Sequence, residues 1–303
     1  MIVVVCLNPA LDVTHHVDAV DWGGVNRPRA VRARPGGKGL NVARTLHALG
    51  VDVLVLGLAG GITGAGVEAA LRERCVPAAF TPVAGETRRT FSVVDDSGVT
   101  AFYEAGPAVS EEEFAAFRRG YEQALDGAAA VVLSGSLPPG LEPATYATLI
   151  QAAGIPAVLD THGEALRLGA AAGAAIVKPN LAELKSLTGH KLAAPDEVIA
   201  AAGQLRGAQA VVVTLGPDGL LAATGDGCWR ARAPAAVTGN ATGAGDAVAA
   251  ALAHGLVLGR PWDERLRHAA ALGAATAAAP VAGEFRRQDY LDALTAVTVE
   301  EVR

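Results

Sequence analysis

Lysine and cysteine are scarce in this chain, and several expected strings are missing. The three cysteines, Cys6, Cys75 and Cys228, stand far apart and outside any CxxC pair, which argues against a disulfide framework or a thiolate zinc site and fits a reducing compartment. Met1 leads straight into the apolar run IVVVC with no basic stretch and no small-residue cleavage site, so no secretory signal is expected and the chain is placed in the cytoplasm. A net charge of −6 offers no positive field for nucleic acid or an anionic membrane, and neither is expected as a partner. The string GxxxxGK[ST] is absent, as is GxGxxG between an early strand and helix, which excludes the P-loop and Rossmann ways of holding phosphate. Only four of the 25 cationic residues are lysines, and two of them, Lys38 and Lys178, fall inside the motifs below.

What is present is apolar material: 51% of 303 residues, enough to bury the core of one large α/β domain spanning the chain. Short β-branched runs at Ile2–Cys6, Val53–Leu58, Ala130–Leu133, Ala157–Leu159, Ala175–Val177 and Val211–Leu215 are each followed by helical spacing, which predicts a central, mainly parallel sheet. Such sheets bind ligands at the carboxyl ends of their strands. That is where NPALD, SGSLPPG, DTHGE, KPNLAE and LGPDG fall. Segments of about 12–34 and 87–106 break the alternation and read as strands around polar turns such as DDSG, a small β lid inserted in the domain. Ala241 to Gly259 is long and apolar, but it is rich in Ala and Gly and carries Asp246 and His254, so it reads as a buried helix rather than a membrane span.

The sharpest motif is Asn240-Ala-Thr-Gly-Ala-Gly-Asp246 ahead of that helix. Glycines at a helix start let backbone amides approach an anion, and the helix dipole favours negative charge there. An Asp in the first turn of the same helix is placed to accept a proton from a hydroxyl that attacks a phosphoryl group held by those amides. Acidic residues also favour helix N-termini for purely structural reasons, and the motif alone leaves both readings open.

GAGD with its preceding Thr242 resembles the carboxyl-terminal signature of the ribokinase-like (PfkB) carbohydrate kinases, and Gly36-Gly37-Lys38-Gly39-Leu40-Asn41 resembles their amino-terminal signature. NPALD at 8–12, Thr87-Arg88, SGSLPPG at 134–140 and VKPNLAEL at 177–184 are similar to the phosphofructokinase branch. The resemblance covers essentially the whole chain. It implies an α/β three-layer sandwich with a small β lid, ATP and Mg2+ as cofactors, and a homodimer joined through the lid. It also implies phosphorylation of a hydroxyl on a phosphorylated ketose, fructose 1-phosphate first, with tagatose 6-phosphate and fructose 6-phosphate as alternatives. Asp246 becomes the catalytic base, with Gly243, Ala244 and Gly245 forming the anion hole. Asp12, Gly37 and Asn41 would bind the sugar, and Lys38, Arg88, Arg27 and Ser136 would surround the phosphate already on it. Lys178, Asn180, Thr214, Gly216, Gly219 and Thr242 would face the nucleotide, and Glu183 would hold the metal through water.

Each assignment has a plainer counterpart. Asn180 and Glu183 can simply cap a helix, Asp12 can serve the turn after Pro9, and Arg88 can be a solvated lid residue. Thr90 stands where the branch more often carries Asn, and GGITGAG at 60–66 resembles the minor 6-phosphofructokinase type while GGKG resembles 1-phosphofructokinases. A sugar-phosphate sensor without catalysis on the same fold is the reading from another class, against which the carboxylate beside the anion hole stands.

Overall fold

The computed structural model describes residues 1–233, 241–281 and 283–302. From the amino terminus the chain runs β1 (Ile2–Cys6), β2 (Ala10–His16), β3 (Ala30–Gly36), α1 (Lys38–Ala48), β4 (Val53–Ala59), α2 (Gly61–Glu73), β5 (Ala78–Pro82), β6 (Arg88–Asp95), β7 (Gly98–Tyr103) and α3 (Glu111–Ala124). It continues through β8 (Ala130–Ser134), α4 (Thr145–Ala153), β9 (Ala157–Asp160), α5 (Gly163–Ala171), β10 (Ile176–Val177), α6 (Leu181–Thr188), α7 (Pro195–Ala202) and β11 (Ala210–Thr214). Last come β12 (Leu220–Thr224), β13 (Gly227–Arg232), α8 (Ala244–Val257), α9 (Trp262–Ala278), α10 (Arg287–Ala296) and β14 (Thr298–Val302).

Among the described residues, ten strands form one sheet in the order β14-β13-β12-β11-β10-β9-β8-β1-β4-β5. From β11 across to β5 every pairing is parallel, and β12, β13 and β14 add an antiparallel edge. The central strands are apolar on both faces because both are covered. In β1, Ile2, Val4 and Cys6 face a core shared with α1, α2, α8 and α9, while Val3 and Val5 face another shared with α3, α4, α5, α6 and α7. Each fully buried Val or Leu contributes roughly 1.5–3 kcal/mol, so a one-residue slip of this register would be costly on both sides at once. The result is the three-layer sandwich expected from the sequence.

A second, four-stranded sheet, β3-β2-β6-β7, stands apart from the large one. Its β6–β7 turn is the DDSG string: Asp95 Oδ1 accepts from the Ser97 amide at 2.8 Å and the Gly98 amide at 3.1 Å, and Gly98 takes φ of 141°. The predicted buried helix is α8, with Asp246 to Ala253 all buried. Among the described residues no helix is long and apolar enough to cross a membrane.

Candidate active site

A cavity of about 1450 Å³ lies between the two sheets and the start of α8. Its floor is the carboxyl ends of β8, β9, β10 and β11, through Gly135 and Ser136, Asp160, Lys178 and Asn180, and Thr214. The small sheet supplies the other wall with Asp12, Arg34, Arg88 and Thr90. Gly37, Gly216, Gly219, Thr242, Gly243, Ala244 and Gly245 also line it, so all but two of the residues singled out in the sequence meet here. Of those two, Glu183 reaches the cluster through Lys38, whereas Arg27 does not line the cavity and sits on an exposed stretch between β2 and β3. Asn240, the first residue of the sharpest motif, lies outside the described residues.

Asp246 sits in the first turn of α8 and is only 6% exposed. Its Oδ2 accepts a 2.7 Å hydrogen bond from Asn41 Nδ2, which arrives from α1, 205 residues away in sequence. Burial, followed by the charge of Asp160, pushes the Asp246 carboxyl up to about 7, while the Asn41 bond, Lys38 and Lys178 pull the other way. The turn before α8 requires Gly243, whose φ is 88°, where a side chain is strained. The amides of the first helical turn have no intrahelical acceptor and point toward the cavity end of α8. Ala244 is the exception among the three predicted donors, because its amide already bonds the Ala241 carbonyl at 3.1 Å.

Two acidic and two lysine side chains form one linked group. Lys38 Nζ lies 3.1 Å from Asp160 Oδ1 and 3.3 Å from Glu183 Oε1, and Lys178 Nζ lies 3.3 Å from Asp160 Oδ2. Burial alone would lower the Lys38 pKa, but the charges of Asp160, Glu183 and Asp246 outweigh it and raise the value. Lys38 is thus held at the carboxylates while it lines the cavity. Lys178 is buried beside the α8 start: a Cβ on Gly245 would come within 3.5 Å of its ammonium. Asn180 and Glu183 do form a reciprocal cap on α6, with Asn180 Oδ1 accepting from the Glu183 amide and Glu183 Oε2 from the Asn180 amide, both at 2.8 Å.

At the other end, Asp12 on β2 lies opposite Thr90 on β6, and the Thr90 hydroxyl donates to Asp12 Oδ1 at 2.5 Å. Gly36 makes room for that carboxylate, since a Cβ there would fall 2.0 Å from it. Arg88 is anchored by backbone oxygens, donating from Nε to the Asn8 carbonyl at 3.2 Å and from Nη1 to the Glu104 carbonyl at 3.4 Å. Among the described residues it makes no ion pair, so a cationic charge is available in the cavity wall. Ser136 Oγ accepts from Asn8 Nδ2 at 3.1 Å, which fixes the hydroxyl beside the same wall.

A family model of the pfkB carbohydrate kinases matches residues 4–286. The chain belongs to the PfkB family of carbohydrate kinases. It is accordingly an ATP-dependent sugar kinase, and kinases of this family use ATP with a divalent metal. Similar solved structures include a mutant of phosphofructokinase-2 from Escherichia coli, at 32% identity over 97% of this chain and 98% of that one, with a TM-score of 0.91. The same Escherichia coli enzyme in complex with fructose-6-phosphate is 31% identical over 97% and 98% of the two chains, with a TM-score of 0.87. A possible 1-phosphofructokinase from Thermotoga maritima is 27% identical over the full length of both chains, with a TM-score of 0.91.

Sequence reasoning passes over three residues that the PfkB cavity brings forward. Asn8 enters it only as part of NPALD, yet its side chain bridges Ala105 O and Ser136 Oγ. Asp160 is visible in the sequence as an acidic residue at a strand's carboxyl end, and it is fully buried between two lysines. Arg44, one turn beyond Asn41 on α1, is buried and has no signal beyond its spacing.

Proposed function

We propose that this kinase transfers the terminal phosphoryl group of ATP to the free terminal hydroxyl of a fructose monophosphate, with Asp246 as the base. The observation that carries the reading is a buried carboxylate of raised pKa at a helix N-terminus, in a cavity whose other wall presents Arg88 without an ion-pair partner among the described residues. Asp246 would take the hydroxyl proton as the oxygen attacks. The amides of Gly243, Gly245 and Asp246 would face the charge that develops on the transferred group. Asp12, with Thr90 holding one of its oxygens, would accept from a sugar hydroxyl, and Arg88 and Ser136 would bind the phosphate already present.

Asn180, Glu183 and Asp160 are hard oxygen donors at the nucleotide side. Among the described residues no three acidic, His or Cys side chains converge as a metal cage. That donor set fits Mg2+, which keeps several waters and takes its remaining ligands from substrate phosphates. Glu183 and Asp160 would hold it through water, and Mg2+ supplies charge neutralisation on the phosphates.

Fructose 6-phosphate is the acceptor we favour. The lysine of GGKG speaks for fructose 1-phosphate, but Lys38 is engaged by Asp160 and Glu183, and the Escherichia coli relative that is 31% identical was solved with fructose-6-phosphate. Fructose 1-phosphate is the second reading, carried by the Thermotoga maritima likeness. Both place a phosphate at one end of the ring and a primary hydroxyl at the other. A charge-assisted hydrogen bond contributes roughly 1.5–3 kcal/mol, so Arg88→Ala should cost about tenfold to a hundredfold in kcat/KM on the preferred phosphorylated ketose and little on free fructose. The test is ADP release with fructose, fructose 1-phosphate, fructose 6-phosphate and tagatose 6-phosphate. Equal or better use of free fructose by the wild type would refute the phosphate-binding wall.

A further inference from the structure

We propose that Arg44 is a positioning residue that fixes which end of the Asn41 carboxamide meets Asp246. The inference rests on Asp246 being the base. Asn41 and Arg44 lie three residues apart on α1 and so share a face. Arg44 Nη2 donates to Asn41 Oδ1 at 2.7 Å, and Asn41 Nδ2 donates to Asp246 Oδ2 at 2.7 Å. All three side chains are buried, at 8%, 6% and 6% exposure.

The chemistry of the two groups gives the chain a direction. A guanidinium has only donors, so the oxygen of Asn41 must face Arg44, and its amino group must then face Asp246. Turned over, the carboxamide would set its oxygen against the carboxylate, an arrangement that is tolerable only when Asp246 is protonated. A base that is protonated cannot accept the hydroxyl proton. Arg44 therefore keeps Asp246 in its working form without touching substrate.

The cost of keeping Arg44 here argues that its donor is needed. Burial, its largest influence, depresses the guanidinium pKa to about 10, and the charges of Arg34 and Arg74 add to that against Glu284 and Asp12. Among the described residues Arg44 forms no ion pair, and its Nε and Nη1 find no partner. A residue present only to fill space would be apolar, since an uncompensated buried charge is expensive. Gly283 packs over the junction: a Cβ there would come within 3.0 Å of Arg44 Nη2 and 3.2 Å of Asn41 Oδ1, which leaves the pair little room to rearrange.

The groups facing Asp246 are Asp160 at the end of β9, Lys178 after β10, and Lys38 and Asn41 on α1, while α9 buries no charged residue against it. None of these changes when Arg44 is replaced, and Asn41→Ala, which keeps the Arg44 charge, separates the carboxamide from the loss of that charge. The experiment is the pH profile of kcat for the wild type, Arg44→Met, Arg44→Lys, Asn41→Ala and Asp246→Asn, with ATP and fructose 6-phosphate. Arg44→Met should lower kcat at neutral pH by about fivefold, leave both KM values within about twofold, and move the acid limb up by about one pH unit. The deficit should shrink above the shifted limb, and Arg44→Lys, which keeps a donor, should restore most of the wild-type profile. Asn41→Ala should show the same raised limb. An unmoved limb in Arg44→Met, or a loss that is equal at every pH and not rescued by Lys, would overturn the proposal. If Arg44→Met does not fold, Arg44→Lys and Asn41→Ala decide it: a wild-type limb in Asn41→Ala overturns the proposal, and a raised one with Lys at wild type supports it. Near-normal kcat in Asp246→Asn would instead bring down the assignment of the base, which separates the two failures.

Discussion

Burying the Asp246 carboxylate with one hydrogen bond and no ion pair among the described residues makes its ionised form harder to keep in the folded protein than in the unfolded chain. The folded pKa, near 7, lies above the ordinary value of 3.8. Stability from this group is therefore fully present below about pH 4 and lost as pH rises through about 7. Asparagine cannot ionise, so Asp246→Asn should be the more stable protein at about pH 8, by roughly 0.5–2 kcal/mol, with the gain shrinking toward pH 5. Thermal unfolding at the two pH values checks this, and a gain that grows on acidification would contradict the raised pKa. At this scale the sequence points to Asp246 and Asn41 as candidate site residues through GAGD and GGKGLN. It does not show that they touch, because the contact is made by the packing of α1 on α8. Asp160 and Arg44 are harder still, since a single acidic or basic residue in a strand end or helix carries no pattern.

The start of α6 shows how one side chain can serve local structure and the site together. Glu183 uses Oε2 to cap its own helix and Oε1 to hold Lys38. Glutamine can make the same cap but carries no charge. Glu183→Gln should therefore leave the unfolding temperature nearly unchanged while raising the Mg2+ concentration for half-maximal rate several-fold. A titration with unaltered metal dependence would return Glu183 to capping alone. The elements themselves are legible where both faces are buried: the six apolar runs correspond to β1, β4, β8, β9, β10 and β11, with ends shifted by at most one residue. The edges are not. At the edges β5 reads AAFTP and β14 reads TVEEV, and beside β14 the strand β13 reads GCWRAR; partly exposed strands of this kind lack the continuous apolar run that marks a central one.

At the scale of the whole molecule, the small sheet and its β2–β3 loop leave Trp22, Val25, Val31 and Phe102 more than half exposed outside the cavity. A four-stranded sheet with an uncovered apolar face is a poor core by itself, and such a patch marks an interaction surface. We propose that two copies meet through it. Light scattering at micromolar concentration should give twice the 30.5 kDa chain mass. Phe102→Asp should shift the protein toward monomer, and a strictly monomeric wild type with full activity would count against the pairing. The same sheet carries Asp12, Arg88 and Thr90 into the cavity, so its position bears on the proposed sugar binding as well. In the reaction we propose, sheet, lid and helix all serve one proton transfer, and the measurement that tests it most directly is the rate of ADP formation from ATP and fructose 6-phosphate in the wild type and Asp246→Asn. Turnover by the wild type is expected, with a kcat lower by about 10²–10⁴ in the mutant and substrate affinity largely kept. A mutant that turns over at close to the wild-type rate would contradict the role of Asp246 as the base.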